Sequence, residues 1–436
     1  MPNHADPNVP DPIAVKPQVA GPDAADPQPV DPRVEAELER ALDVLSRGAA
    51  EIISRDDLKA KLRKSRLTGK PLRIKLGLDP TAPHIHLGFA VVLRKLRAFQ
   101  DLGHQVVMLI GDFTARVGDP SGRNETRPVL TQEEIEANAA TYRAQFSAIL
   151  DPARTEVAFN SKWLGEMSFA DVLGLTSKYT VARILERDDF ANRYRDGRPI
   201  HMHETLYPLM QGYDSVALRA DVELGGTDQK FNNLVGRELQ REYGQEPQVV
   251  FLMPILVGLD GKEKMSKSKG NYVGITESPE VMFTKLMQLP DACMREYYVL
   301  CTHVPLPEVD ALFGELAAGR AHPMELKKRL AEEIITIYHG VEHAAPARAE
   351  WERVVARGEA PSQVREVVVE AEIGVQQLVK LLGLAASSRD ARRLVEQGAV
   401  EIDDVRYDDP RQVIAVRDGM MLRVGRNYVR LRQNGR

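Results

Sequence analysis

The sequence predicts an α/β protein: a parallel-sheet domain, then an all-helical segment, then a small α+β module. Three observations carry this. Two apolar strands, 72–78 and 105–110, flank a segment with helical spacing, and that strand–helix–strand order belongs to a parallel sheet. Residues 278–355 read as helices separated by Pro279, Pro290, Pro305, Pro307 and Pro323. Residues 373–436 combine two short helical patterns with alternating strands.

The elements follow in order. Residues 1–32 hold nine prolines and five aspartates against one lysine, Lys16, so residues 1–33 are expected to stay disordered. That stretch has no apolar central segment, so it does not read as a signal or transit peptide. From residue 34, Val34, Leu38, Leu42 and Leu45 recur near the 3.6-residue period of a helix. The strand 72–78 ends in the turn Asp79-Pro80-Thr81-Ala82-Pro83, and the next helix carries Leu87, Val91, Val92, Leu93 and Leu96. The strand 105–110 ends at Gly111-Asp112. Ligands of parallel sheets sit at strand carboxyl ends and helix N-termini, so both turns are candidate binding segments. Residues 131–250 continue with alternating helices and short strands. The expected organisation is a sheet domain at 34–255, a mobile loop at 256–277, helices at 278–358, a charged linker at 359–372 and a small module at 373–436.

Composition narrows the function classes. A net charge of −5 leaves no global nucleic-acid signature, so any such binding is local. Two cysteines, Cys293 and Cys301, form neither a disulfide framework nor a zinc set, and suit a reducing, cytoplasmic setting. No run of about eighteen apolar residues marks a membrane span.

Several constellations carry chemistry. Lys264-Met265-Ser266-Lys267-Ser268, on a Gly- and Lys-rich loop, can close over a polyphosphate. His86 sits at a strand-to-helix turn, where an imidazole can donate to phosphate and the helix dipole adds positive potential; Gly88 allows close approach to the backbone. Thr81 offers a hydroxyl in the same turn, as a ligand donor or a helix cap. Tyr207, Gln211 and Asp214, at i, i+4 and i+7, share one helix face, where Gln and Asp demand partners. His201, His203 and Glu204 lack a distant third ligand and make a weak metal set, so no metal site is expected. In the last module Arg389, Arg392 and Arg393 share a helix face. Residues 411–436 hold seven arginines, among them Arg423 and Arg430, against one acid, Asp418. Such arginines suit the phosphates of a structured RNA.

The pair of segments His86-Leu87-Gly88-Phe89 and Lys264–Ser268 resembles the two signature motifs of class I aminoacyl-tRNA synthetases. The lysine motif matches at all five positions, and Phe89 stands where the first signature has its second histidine. Gly111–Arg123, Tyr207–Asp214 and Gly225-Gly226-Thr227-Asp228-Gln229 narrow the resemblance to tyrosyl-tRNA synthetases. Residues 373–436 resemble the S4-type RNA-binding domain of the bacterial members.

The resemblance implies a Rossmann-like catalytic domain, ATP as co-substrate with Mg²⁺ carried on it, and L-tyrosine and tRNA(Tyr) as substrates. It also implies a homodimer with its interface within residues 150–205. Asp119, Tyr207 and Gln211 would hold the α-amino group, and Asp214 would accept from the phenol. Asp79 would lie near the reacting carboxylate. Thr81 and His86 would face phosphates, as would Lys264, Lys267, Arg123 and Arg127. Gly88, Gly226, Asp228, Gln229 and Ser268 complete the ATP side. Many members carry, at the position of Lys75, a tyrosine that touches the phenol, so the resemblance places Lys75 with the tyrosine contacts; it either pairs with Asp214 and orients it or points elsewhere. Two other readings stand beside this one. A related enzyme for tryptophan is opposed by Asp214 and the S4-like tail. A non-catalytic RNA-binding protein is favoured by Phe89 and opposed by the intact lysine motif.

Overall fold

The computed structural model describes residues 31–78, 85–118, 131, 133–134, 137, 141, 146–356, 359, 364–425 and 427–434. The chain gathers into two compact units: one of residues 1–277 and 288–330, the other of 278–287 and 331–436. The helical stretch predicted at 278–358 is therefore shared between them.

In the first unit, the described residues form a six-stranded sheet. Its strands are β1 (Glu51–Ile53), β2 (Arg73–Leu78), β3 (Gln105–Ile110), β4 (Thr155–Phe159), β5 (Val222–Gly226) and β6 (Val249–Met253), in the order β1-β6-β5-β2-β3-β4. β1 joins the edge antiparallel, and the other neighbours are parallel. β3 and β6 are near-continuous apolar runs because helices cover both faces of a parallel sheet. The helix Leu87–Asp101 buries Leu87, Val91, Leu93 and Leu96, so the periodicity seen in the sequence is its core face. The helix predicted from Val34 spans Pro32–Ser46; Asp31 caps it and Pro32 takes its first position, where no N–H is needed.

Chain order makes a switch point. The chain runs outward from β2 to β3 and β4, then returns to lay β5 on the other side of β2. A crevice at the carboxyl ends of β2 and β5 follows, and ligands of open α/β sheets bind there.

In the second unit, the C-terminal module has its own core, including Val375, Leu378, Val379, Ala391, Val395, Val400, Leu422 and Leu431. It is built on β7 (Arg365–Val369), β8 (Glu372–Gly374), β9 (Val400–Ile402), β10 (Val405–Tyr407), β11 (Val413–Ala415), β12 (Met421–Val424) and β13 (Asn427–Gln433). Five of them pair as β10-β9-β12-β13-β7, and β11 pairs with β8. Ser387 caps the helix Ser388–Glu396 by accepting from Asp390 N at 3.1 Å. One expectation is corrected. Residues 365–369, inside the predicted linker, form β7, parallel to β13. Val369 is buried in the module core, so the valine content outweighs the charge and the nearby Pro361 that suggested a linker.

Candidate active site

The carboxyl ends of β2 (Gly77, Leu78) and β5 (Gly225, Gly226) open into a cavity of about 640 Å³. Three walls close it. His86 and Gly88 come from the start of the helix Leu87–Asp101, and Tyr207, Gln211 and Asp214 from the helix Met202–Leu218. Lys264, Lys267 and Ser268 come from the lysine loop, facing Asp228 and Gln229 at the turn after β5. Residues widely separated in sequence thus meet in one volume. Asp79, Thr81, Asp119, Arg123 and Arg127 lie outside the described residues.

At one end of the cavity the Asp214 carboxylate is almost wholly buried yet reaches the lumen. Trp163 Nε1 donates to its Oδ1 at 2.7 Å, and Asn160 Nδ2 to its Oδ2 at 3.2 Å. Asn160 is itself pinned, accepting from Phe113 N at 2.9 Å and touching Thr114 Oγ1 at 3.1 Å. Burial pushes the Asp214 carboxyl up to about 7, against the opposing pull of Lys75 and the two side-chain donors. Each oxygen holds one donor and keeps capacity for another, so the group can accept a substrate hydroxyl.

Lys75 does not line this cavity. Its strand places it beside Glu223 in parallel register, and its ammonium meets Glu223 Oε1 at 2.8 Å. It also donates to Ser215 Oγ at 2.8 Å and to the Gln211 carbonyl at 3.1 Å. An ammonium has three protons, and all three are taken. Of the two readings of Lys75, a hydrogen-bonded pair with Asp214 gives way to a pair with Glu223, because neighbouring parallel strands set those two side by side. The placement leaves Lys75 no donor for substrate, where the sequence reading had put it among the tyrosine contacts.

At the other end, His86 caps its helix: Nδ1 accepts from Phe89 N at 3.3 Å. The remaining nitrogen, Nε2, then carries the proton. Burial, followed by the charge of Lys264, holds the imidazole below its ordinary pKa, so it is a neutral donor. Gly88 brings its backbone against the lysine loop, and Gly88 N lies 3.2 Å from Met265 Sδ. A Cβ there would crowd Met265 and His86. A Cβ at Gly226 would collide with the Asp228 carboxylate. Phe89 packs tilted on Phe146 with ring centroids 6.3 Å apart, an apolar contact at the place of the second signature histidine.

The lysine loop is anchored at its base. Met265 is buried, its N–H reaches Leu256 O at 2.9 Å, and Asn271 Oδ1 accepts from Ser266 N at 2.8 Å. Lys264 Nζ meets Asp228 Oδ2 at 3.0 Å. Both side chains are well exposed, so the pair is weak and can be exchanged for a phosphate.

In the C-terminal module Arg389, Arg392 and Arg393 border a surface hollow with Ser387, Asp390 and Glu396. Arg392 pairs with Glu396 at 2.7 Å and Arg393 with Asp390 at 3.2 Å, both as exposed pairs one helical turn apart. Arg423 pairs with Glu401 at 3.1 Å and lies over the Tyr428 ring. Arg430 is 3.7 Å from Glu366.

His201 and His203 stack with centroids 5.8 Å apart, and Glu204 is held by Arg193 and by His201 N. Among the described residues no group of three or more His, Cys, Asp or Glu converges as a metal set. Burial pushes the Cys301 thiol up to about 12, out of reach of thiolate chemistry.

Sequence reasoning missed Asn160, Trp163 and Glu223. Glu223 carried a signal: a carboxylate between Val222 and Leu224 in a buried strand requires a partner. Asn160 and Trp163 had none, because their partner lies 54 and 51 residues away.

Comparison with known proteins fits this geometry. Residues 67–356 match the family described as tRNA synthetases class I (W and Y), and residues 373–418 match the S4 domain. A tyrosine–tRNA ligase of Moorella thermoacetica is 57% identical over 401 residues, covering 92% of this chain and 97% of the relative. One from Carboxydothermus hydrogenoformans is 53% identical, covering 86% and 92%. A solved tyrosyl-tRNA synthetase from Archaeoglobus fulgidus, complexed with L-tyrosine, aligns with a TM-score of 0.56 at 25% identity, over 71% of this chain and 99% of that one. No helix among the described residues is long and apolar enough to cross a membrane. The chain belongs to the class I tRNA synthetases for tryptophan and tyrosine, and carries an S4 domain behind the synthetase region.

Proposed function

We propose that the chain activates L-tyrosine with ATP and transfers the acyl group to the 3′-terminal adenosine of tRNA(Tyr). The observation that carries this is the Asp214 carboxylate, buried at one end of the cavity and oriented by Asn160 and Trp163 to accept a phenol hydroxyl. Tyr207 and Gln211, on the same helix face, are the described residues that hold the α-amino group, and Asp119 completes that set. The relatives named above weigh for tyrosine over tryptophan. In vitro charging of tRNA(Tyr) with labelled tyrosine tests the reading; charging with tryptophan in its place would end it.

The chemistry needs no protein nucleophile. The tyrosine carboxylate attacks the α-phosphorus, the bond to the β-phosphate oxygen breaks, and pyrophosphate leaves. A hydroxyl of the terminal adenosine then attacks the acyl carbon and AMP departs. Catalysis is positioning plus electrostatic stabilisation by Lys264, Lys267 and the Nε2–H of His86. Thr81, Arg123 and Arg127 add donors to the phosphates, and Gly88, Gly226, Asp228, Gln229 and Ser268 receive the adenosine side. Mg²⁺ would arrive on the triphosphate, held by the phosphates themselves. It would neutralise phosphate charge, as in phosphoryl transfer generally. The place of work is the cytoplasm, where the RNA substrate and ATP are found.

The S4 arginines serve the RNA. Their exposed ion pairs are weak, so phosphates can displace the acidic partners. Replacing Arg389, Arg392 and Arg393 together by glutamine is expected to raise KM for tRNA ~10-fold or more and to flatten its salt dependence. Tyrosine-dependent pyrophosphate exchange should not change. An unaltered KM for tRNA would remove these arginines from the interface.

The active species is a homodimer. Phe169, Leu173, Val181, Tyr194 and Met202 are all strongly exposed within residues 150–205, a concentration of large apolar side chains that suits a buried interface. Phe169→Glu should give a monomer in sedimentation velocity at concentrations where the parent chain is a dimer. A parent chain that sediments as a monomer contradicts this.

A further inference from the structure

The buried pair behind the pocket wall has a defined relation to Asp214. Lys75 and Glu223 face each other across β2 and β5 with 0% and 1% exposure. Beyond Glu223, the two other acceptors on Lys75 are the Gln211 carbonyl and Ser215 Oγ. Both belong to the helix that carries Asp214, one three residues before it and one directly after. The ammonium therefore bolts the sheet to that helix on either side of the phenol acceptor. Glu223 is satisfied in turn: Ser215 Oγ donates to its Oε2 at 3.0 Å, and Gln248 Nε2 donates to the same oxygen. Gly236 leaves room for this network, since a Cβ there would press on Ser215, Glu223 and Gln248. Glu223 also borders the cavity.

We propose that Lys75 and Glu223 are a positioning pair for tyrosine selection: they brace the Asp214 segment and balance the charge at its carboxylate, so that it stays available to the substrate phenol. This rests on reading Asp214 as the phenol acceptor. The need for balance is electrostatic. Among the described residues, the charged groups that act on Asp214 are Lys75 from β2, which favours the carboxylate, and Glu223 from β5, which opposes it. Trp163 and Asn160 add neutral donors from the segment after β4. Lys75 without Glu223 would leave a cation free to capture Asp214. Glu223 without Lys75 would set two buried carboxylates together. A buried pair is not needed for stability as such, because apolar or neutral replacements of both partners are often tolerated while removal of one is not.

The test is the pH profile of kcat/KM for tyrosine, which reports the free enzyme. Burial places the Asp214 carboxyl at about 7, so in the parent chain kcat/KM should fall as the pH drops through that value. Glu223→Gln, nearly isosteric, removes the opposing anion and should move this limb ~1 unit or more to lower pH. Lys75→Met removes the favourable cation and should move it to higher pH. The double variant Lys75→Met/Glu223→Gln should bring it back toward the parent position. If Lys75→Met does not fold, Glu223→Gln carries the test with the double variant. Limbs that coincide with the parent in folded variants overturn the proposal and leave the pair a purely structural one. Asp214→Asn separates the two levels: a lost limb with Glu223→Gln unshifted defeats this inference alone, whereas an intact limb in Asp214→Asn defeats the phenol-acceptor reading itself.

Discussion

Asp214→Asn is expected to abolish most of the preference for tyrosine over phenylalanine. The carboxylate offers the phenol a charge-assisted hydrogen bond inside a site from which water is displaced, a type of contact worth about 1.5–3 kcal/mol. The asparagine amide also turns an N–H toward the donors of Asn160 or Trp163, which now face a single acceptor. Together these should lower kcat/KM for tyrosine by ~10²–10³. Phenylalanine has no hydroxyl to lose a partner, so its kcat/KM should hold or rise, and the ratio collapses. Tyrosyl-tRNA synthetases are themselves the reference case for such discrimination, and the figure of ~10⁵ without editing belongs to the family. Pyrophosphate exchange with each amino acid measures the ratio. An unchanged ratio would remove Asp214 from recognition.

Folding does not confound this variant. The Asp214 carboxyl titrates at about 7 in the folded chain against an ordinary value near 3.8. Between those values the folded state binds more protons than the unfolded state, so this group's contribution to stability falls as the pH rises toward 7 and stays low above it. Asp214→Asn removes that penalty, which offsets the cost of setting an amide N–H against Asn160 or Trp163, so at pH 8 the variant should melt close to the parent. Loss of selectivity without loss of stability identifies a recognition group.

Lys264→Ala and Lys267→Ala should each slow adenylate formation by ~10²–10³ while leaving tyrosine affinity nearly unchanged. The reasoning is positional. Both lysines line the cavity on the loop side, away from the Asn160–Trp163–Asp214 end, and charge develops on the phosphates as pyrophosphate departs. Lys264 is held in readiness by Asp228 at 3.0 Å, with side chains 58% and 34% exposed. An exposed pair of this kind contributes at most about 1 kcal/mol, so the approaching triphosphate takes the lysine at little cost. Single-turnover quench kinetics give the rate, and equilibrium dialysis gives tyrosine binding. Equal loss of both would mean that the loop shapes the tyrosine pocket and does not stabilise the phosphates.

Much of this site is legible in sequence, for identifiable reasons. β3 stands out because a parallel strand buried on both faces leaves an unbroken apolar run, and β2 because Ile74, Leu76 and Leu78 alternate with Arg73, Lys75 and Gly77. The wall of Tyr207, Gln211 and Asp214 stands out because polar residues at helical spacing in an apolar setting need partners. The lysine motif is local, so five adjacent residues announce it. Asn160 and Trp163 are silent because what defines them is an aspartate brought from a distant helix. Lys75 misleads for the same reason: its neighbour across the sheet is fixed by strand order, and no local pattern reports strand order. β7 is hidden because a single added strand in a charged stretch draws its stability from β13 and the module core.

The measurement that tests the central claim most directly is exchange of labelled pyrophosphate into ATP, without tRNA, in the presence of tyrosine, tryptophan or phenylalanine. The account predicts exchange with tyrosine and little with the other two, with Phe89 in place of the second signature histidine. Exchange driven by tryptophan, or none with any of the three in a folded chain that binds tRNA, would contradict it.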